Sequence, residues 1–121
     1  MGLDTVEIIL RAEELFEIDI ADHEAGSIET VGEFYRLICS KLGVSPLRSP
    51  ITCDELPVIT HHEKTFLVLS RSTPLTAPAE VLPWSAQSVW NCLVAIFVDQ
   101  MGLRPEEITY QARIAKDLGV D

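Results

Sequence analysis

The sequence predicts a small all-α bundle, on three observations. Apolar residues recur with a helical period in three separate stretches, residues 3–16, 31–42 and 86–101. The second and third stretches each open on a hydroxyl residue suited to an N-cap, Thr30 and Ser85, and each closes on a glycine, Gly43 and Gly102. The prolines are kept out of these stretches: of the seven, all but Pro105 fall within residues 43–84, at Pro46, Pro50, Pro57, Pro74, Pro78 and Pro83. A proline lacks the backbone N–H and blocks the preceding turn, so this interval is predicted to be an irregular arm and not a helix or a central strand.

The first helix is expected over Leu3 to Phe16. Its core side is read as Leu3, Val6, Ile9, Leu10 and Phe16, and its solvent side as Asp4, Glu7, Arg11 and Glu14. Asp4 and Glu7 stand in the first turn, where negative charge meets the positive end of the helix dipole and Asp4 can cap free N–H groups. Ile18-Asp19-Ile20 reads as a connector, and Asp22 to Ala25 as a loop or a single turn of helix. Thr30 with Glu33 three residues on has the pattern of a capping box, and the helix that follows, Val31 to Leu42, carries Val31, Phe34, Tyr35, Ile38 and Leu42 on one stripe. Within the arm, Thr65 to Ser70 has strand propensity, and Val58 to Thr60 could pair with it across residues 61–64 as a short β-hairpin. The last helix, Ala86 to Met101, presents Trp90, Leu93, Val94, Phe97 and Met101, and Arg104 to Glu107 makes a turn behind it.

With 121 residues, of which 47% are hydrophobic, the chain is long enough to bury one core, and a single domain is expected. A net charge of −10 and a pI near 4.6 argue against nucleic-acid binding, which needs clustered Lys and Arg to neutralise phosphates. The charge suits either a basic protein partner or simple solubility. Cys39, Cys53 and Cys92 are odd in number and unpatterned in spacing, which predicts reduced thiols and a cytoplasmic setting in place of a disulfide framework. No basic and apolar leader opens the sequence, and no apolar run suffices to span a bilayer. His61 and His62, with Cys53 and His23, lack metal-ligand spacing, so no metal site is expected. Neither a nucleophile–base motif nor a phosphate-cradling loop is present, which predicts a protein that is not an enzyme.

Beyond these patterns, two segments carry a resemblance. Leu3-Asp4-Thr5-Val6-Glu7-Ile8-Ile9, then Glu13-Glu14-Leu15-Phe16, Ile18 to Ala25 and Ile28 to Gly32, resemble the acyl carrier protein family from its second helix onward, without a gap to about Ile38. Trp90 to Asp121 is similar to the first helix and long loop of the same family, which ordinarily come before the second helix. Joined tail to head, the segments would form an acyl-carrier-like four-helix bundle in permuted order. The resemblance divides the chain into residues 1–42 (second to fourth helices), 43–84 (connecting arm) and 85–121 (first helix and loop). These would complete one domain, in cis or by domain swapping in a homodimer.

The resemblance implies a degenerate cofactor site. The family carries 4'-phosphopantetheine on the serine of an Asp-Ser-Leu motif, which falls here on Asp121, Gly2 and Leu3, with Asp4 following. Gly2 stands at the serine and offers no oxygen, so no covalent cofactor is expected. Thr5, the nearest hydroxyl, is the alternative acceptor. The resemblance further implies that Asp4, Glu7, Glu13, Glu14 and Asp22 dock on basic-surfaced enzymes of fatty-acid or polyketide metabolism; the other reading is a plain solvated face. It also implies that Ile20 and Ile28 point inward and that Ile108 and Leu118 anchor the loop. An interior of Val6, Ile9, Leu10, Phe34, Ile38, Leu93 and Phe97 is then either plain core or a shelter for an acyl chain held non-covalently.

Overall fold

The structure is a computed structural model that describes residues 2–53, 55–57 and 76–121. The described residues form an all-α bundle of α1 (Leu3–Phe16), α2 (Asp22–Gly26), α3 (Val31–Leu42) and α4 (Ala86–Met101), with 3-10 turns at Ala79–Val81 and Pro105–Glu107. Their only β pairing is a single bridge between Thr30 and Arg113. The expected hairpin, residues 58–70, lies outside the described residues.

Helix α4 is the centre of the molecule. Val89, Trp90 and every residue from Cys92 to Phe97 are buried, so the helix is apolar nearly all round, as a helix enclosed by others must be. It packs on α1 and α3 of the same chain. One stripe was expected from its periodicity; enclosure on all sides also engages Val89, Cys92, Ala95 and Ile96. Ser85 caps it through the Ser88 N–H at 3.1 Å, and Gly102 closes it at φ 69°.

Helix α1 shows a different face from the expected one. Its buried residues are Glu7, Ile8, Arg11, Ala12, Leu15 and Phe16, a set with the i, i+4 repeat of a single face, while Val6, Ile9 and Leu10 are only half-buried and Leu3 is 62% exposed. The consecutive apolar residues Ile8, Ile9 and Leu10 allow two registers, and contact with α4 selects the one that carries two charged residues inward. Arg11, only 6% exposed, pairs with Asp99 of α4 and donates from Nη1 to Gln100 Oε1 at 3.2 Å; Gln100 Nε2 in turn donates to Asp4 Oδ1 at 3.2 Å. Arg11 is therefore corrected from a solvent-facing to an interhelical position, and Glu7 from a solvent-facing to a buried one.

Helix α3 begins as predicted. Thr30 Oγ1 accepts from the Glu33 N–H at 3.1 Å, and Glu33 Oε1 accepts from the Thr30 N–H at 2.9 Å. Its other leading N–H groups are met from the far end of the chain: Val31 N–H donates to Ala112 O at 3.0 Å and Gly32 N–H to Tyr110 O at 2.8 Å. Residues 103–121 form a strap across the bundle, held by buried Ile108, Ala112, Leu118 and Val120. Gly32 is needed for this closeness, because a Cβ there would lie 2.5 Å from the Tyr110 ring. That ring meets Tyr35 and Trp90 at centroid distances of 6.3 Å each.

The start of the arm is tied to α3 and α4. The Tyr35 hydroxyl, whose burial pushes its pKa up to about 12, donates to Ala86 O at 2.8 Å and accepts from the Leu47 N–H at 3.0 Å. Trp90 Nε1 donates to Thr52 Oγ1 at 3.0 Å, and Gln87 Nε2 to Ile51 O at 2.7 Å. The exposed apolar residues include Leu47 and Ile51 of this segment, the latter 78% exposed.

Two outcomes follow for stability. Gly32→Ala forces the Tyr110 ring or the strap to move and is expected to destabilise by about 1–3 kcal/mol, read as a lower midpoint in urea. The backbone N–H groups of Thr30 and Glu29 hold the Glu33 carboxyl below the ordinary glutamate value of 4.5. A depressed folded pKa contributes stability above the unfolded value that is lost as pH falls through the folded one. Glu33→Gln is therefore expected to flatten the acid side of the stability profile below about pH 4.5 while lowering stability at neutral pH, measured by urea melts across pH.

Candidate functional site

The first candidate site lies where the two ends of the sequence meet. Helix α1 has Gly2 as its N-cap, in extended conformation and with no side chain to accept from the first turn. The acceptor comes instead from Asp121, whose carbonyl oxygen takes the Thr5 N–H at 2.9 Å and the Thr5 hydroxyl at 2.5 Å. The contact is tight at Gly2 itself: a Cβ there would stand 2.1 Å from the Asp121 carbonyl carbon. Asp121 thus lies against Gly2 and the first turn of α1, and the space a side chain at Gly2 would need is filled by backbone. The Thr5 hydroxyl beside it is already donated to Asp121. Asp4, expected to cap α1, accepts from Gln100 instead.

Beside this junction opens a cavity of about 390 Å³. It lies between α1, α2, the start of α3, α4 and the strap, with Thr5, Ile8, Ile9, Ile28, Phe34, Phe97, Ile114 and Val120 in its wall. Five of these are outside the interior foreseen from sequence, which joined helical stripes and omitted the strap; of that list, Ile9, Phe34 and Phe97 line the cavity, while Ile38 and Leu93 are solid core. Ile20 is buried and Ile28 half-buried, as the resemblance implied. The rim carries exposed Glu29, Arg113, Ala115 and Lys116. Sequence reasoning missed Arg113 and Lys116; their signal was two cations close together in an acidic chain with only nine Lys and Arg.

The acidic residues do not form one face. Glu7 is buried, with 4% exposure, and is removed from the candidate docking set. Glu13 is half-buried and its Oε2 accepts from the Ile20 N–H at 2.9 Å, fixing the turn after α1. Asp4 and Glu14 are half-buried, and Asp22 is exposed at the start of α2. Exposed Glu17, Asp19 and Glu29 lie on the same part of the chain and were not in the set read from sequence.

The similarity is to acyl carrier proteins. Over 44 residues the chain is 49% identical to the acyl carrier protein of Picosynechococcus sp., a match covering 36% of this chain and 54% of that protein. Over 42 residues it is 46% identical to the acyl carrier protein of Prochlorococcus marinus, covering 35% of this chain and 52% of that one. The chain thus spans about half the length of the curated relatives it matches. No family model matches the chain, and no solved structure matches it significantly.

Among the described residues there is no group of His, Cys, Asp and Glu that could hold a metal; His61 and His62 lie outside them. None of their helices is long and apolar enough to cross a membrane. Cys39 and Cys92 are buried free thiols whose pKa burial pushes up, that of Cys92 to about 12. They pack as small apolar residues, as expected. Cys53 is exposed, with its Sγ 3.1 Å from Asn91 Nδ2. A colorimetric thiol assay is expected to detect one fast-reacting thiol in the native protein, lost in Cys53→Ser, and three in urea.

Proposed function

We propose that this chain is an acyl-carrier-like binding module of fatty-acid or polyketide-type metabolism, with its two carrier-like segments in permuted order and without covalent 4'-phosphopantetheine. The observation that carries the reading is the junction of Asp121 with Gly2. The resemblance puts the family's Asp-Ser-Leu motif across these residues, and the two ends, distant in sequence, meet at that point with a glycine at the serine and backbone in the serine's place. A match that covers about half of each relative is the extent that one segment alone would give, since no collinear alignment runs through a permuted junction.

In this role the protein acts by association and performs no chemistry of its own. Of the acids read from sequence, exposed Asp22 at the start of α2 is the best placed to meet a basic enzyme surface, while Asp4 and Glu13 are engaged in internal hydrogen bonds. Association through such charges is fast, weak and sensitive to salt. The alternative of a carrier loaded on Thr5 is disfavoured by the hydrogen bond that its hydroxyl gives to Asp121.

The test is intact mass after incubation with coenzyme A and a broad-specificity phosphopantetheinyl transferase, with an ordinary carrier protein as the positive control. The wild-type chain is expected to stay unmodified while the control is fully converted. Gly2→Ser, in which Asp121 has to yield to the new Cβ, is expected to gain the adduct. An adduct on the wild-type chain overturns the reading of a non-covalent module, and a folded Gly2→Ser that remains unmodified overturns the permuted alignment.

A further inference from the structure

The exposed face of α3 and the first residues of the arm enclose an open groove of about 530 Å³. Arg36 and Ser40 come from the helix, Ser45 and Pro46 from the arm, and half-buried Leu37 and Val44 complete the lining with Glu33. Ser45 is held from both sides. The Val44 N–H before it donates to Cys39 O at 2.9 Å, and the Leu47 N–H after it donates to the Tyr35 hydroxyl at 3.0 Å. Between these anchors Ser45 and Pro46 are exposed, and the proline ring disfavours helical backbone at Ser45, so the pair stands clear of α3.

The groove has a cation without a counter-ion in a chain whose net charge is −10. Among the described residues the Arg36 guanidinium makes no ion pair and the Ser45 hydroxyl no hydrogen bond, whereas Lys41, the other cation of α3, is taken by Glu24 at 2.9 Å. Glu33 shares the groove, but its Oε1 is spent at the start of the helix, accepting from the Glu29 and Thr30 N–H groups at 3.1 and 2.9 Å. Arg48, exposed three residues after Ser45, adds positive charge to the same stretch. At the end of α3 the Cys39 and Ser40 carbonyls are met by the Val44 and Gly43 N–H groups, which lessens the negative end of the helix dipole. A phosphoryl group on serine adds about 1.5–2 negative charges and three acceptor oxygens, and opposite an arginine it forms charge-assisted hydrogen bonds.

We propose that Ser45 is a phosphorylation site whose phosphate pairs with Arg36 across the groove and ties the arm to α3. The donor is a nucleoside triphosphate held by a proline-directed serine kinase. Ser45 Oγ forms the new P–O bond, the bond from the γ phosphorus to the β–γ bridging oxygen breaks, nucleoside diphosphate leaves, and the hydroxyl proton passes to the base of the kinase. Ser49-Pro50 repeats the local pattern but does not line the groove, so it is an internal comparison. This modification goes beyond the carrier-like reading and does not depend on the permuted order.

The experiment treats the full chain with ATP, magnesium and a proline-directed serine kinase, with a synthetic peptide of residues 41–53 as the positive control. Intact mass and peptide mapping are expected to show one phosphoryl group, on Ser45 and not on Ser49, and none in Ser45→Ala. The pairing is read by phosphorus NMR across pH. Phosphoserine ordinarily loses its last proton at about pH 6, and in the modified chain this is expected to fall by about half a pH unit relative to modified Arg36→Gln. Lys41→Gln removes the same charge from exposed Lys41, which does not line the groove, and is expected to keep most of that lowering. Circular dichroism checks that each variant is folded. The assignment is overturned by an unmodified chain beside a fully converted peptide, by modification of Ser49 in place of Ser45, or by a phosphate titration that Arg36→Gln leaves unaltered or that Lys41→Gln alters equally.

Discussion

The structure depends on one strap of backbone that finishes two helices at once. The first N–H groups of any α-helix lack partners within the helix, and leaving one buried and unmet costs about 1–3 kcal/mol. Here the carbonyls of Tyr110 and Ala112 serve α3, and that of Asp121 serves α1. The strap is itself fixed by the Ile114 N–H on Glu29 O at 2.9 Å and by the buried side chains of Ile108, Leu118 and Val120. Because its partners come from the first third of the sequence, the N-terminal helices and the C-terminal strap are mutually dependent. The two tight glycines record that dependence: Gly2 and Gly32 stand where the strap backbone or its Tyr110 ring comes closest.

Enclosure of α4 sets the second constraint. A helix buried nearly all round supplies the largest share of the core of any element, with fully buried Trp90, Leu93, Ile96 and Phe97 each contributing on the order of 1.5–3 kcal/mol in removed apolar surface. It also dictates which side of α1 turns inward. The pairing of Arg11 with Asp99 at that contact joins a buried guanidinium to a carboxylate that stays partly exposed, and its loss would leave the Arg11 charge buried without that partner.

The cavity follows from the same arrangement. The strap crosses the bundle at a distance set by its hydrogen bonds to α1 and α3, and the small Ala25 and Gly26 of α2 leave space beneath it. Thr5 belongs both to the junction of the chain ends and to the wall of the cavity.

Local signals in the sequence determined the all-α class, the bounds of α1, α3 and α4, the Thr30–Glu33 and Ser85 caps, and the glycine stops, because capping and helical period act over three or four residues. They also determined that Gly2 cannot offer a hydroxyl. Tertiary structure alone decided the inward face of α1, where Ile8, Ile9 and Leu10 permit two registers and only contact with α4 chooses. It decided that Glu7 and Arg11 are interior, that Glu13 holds a turn, and that Asp121, not Asp4, caps α1. The cavity and its rim of Arg113 and Lys116 belong to the same category, since they arise from residues far apart in sequence that meet only when the strap closes. Pairings across such distances are selected by the packing of the whole chain, and no local pattern encodes them.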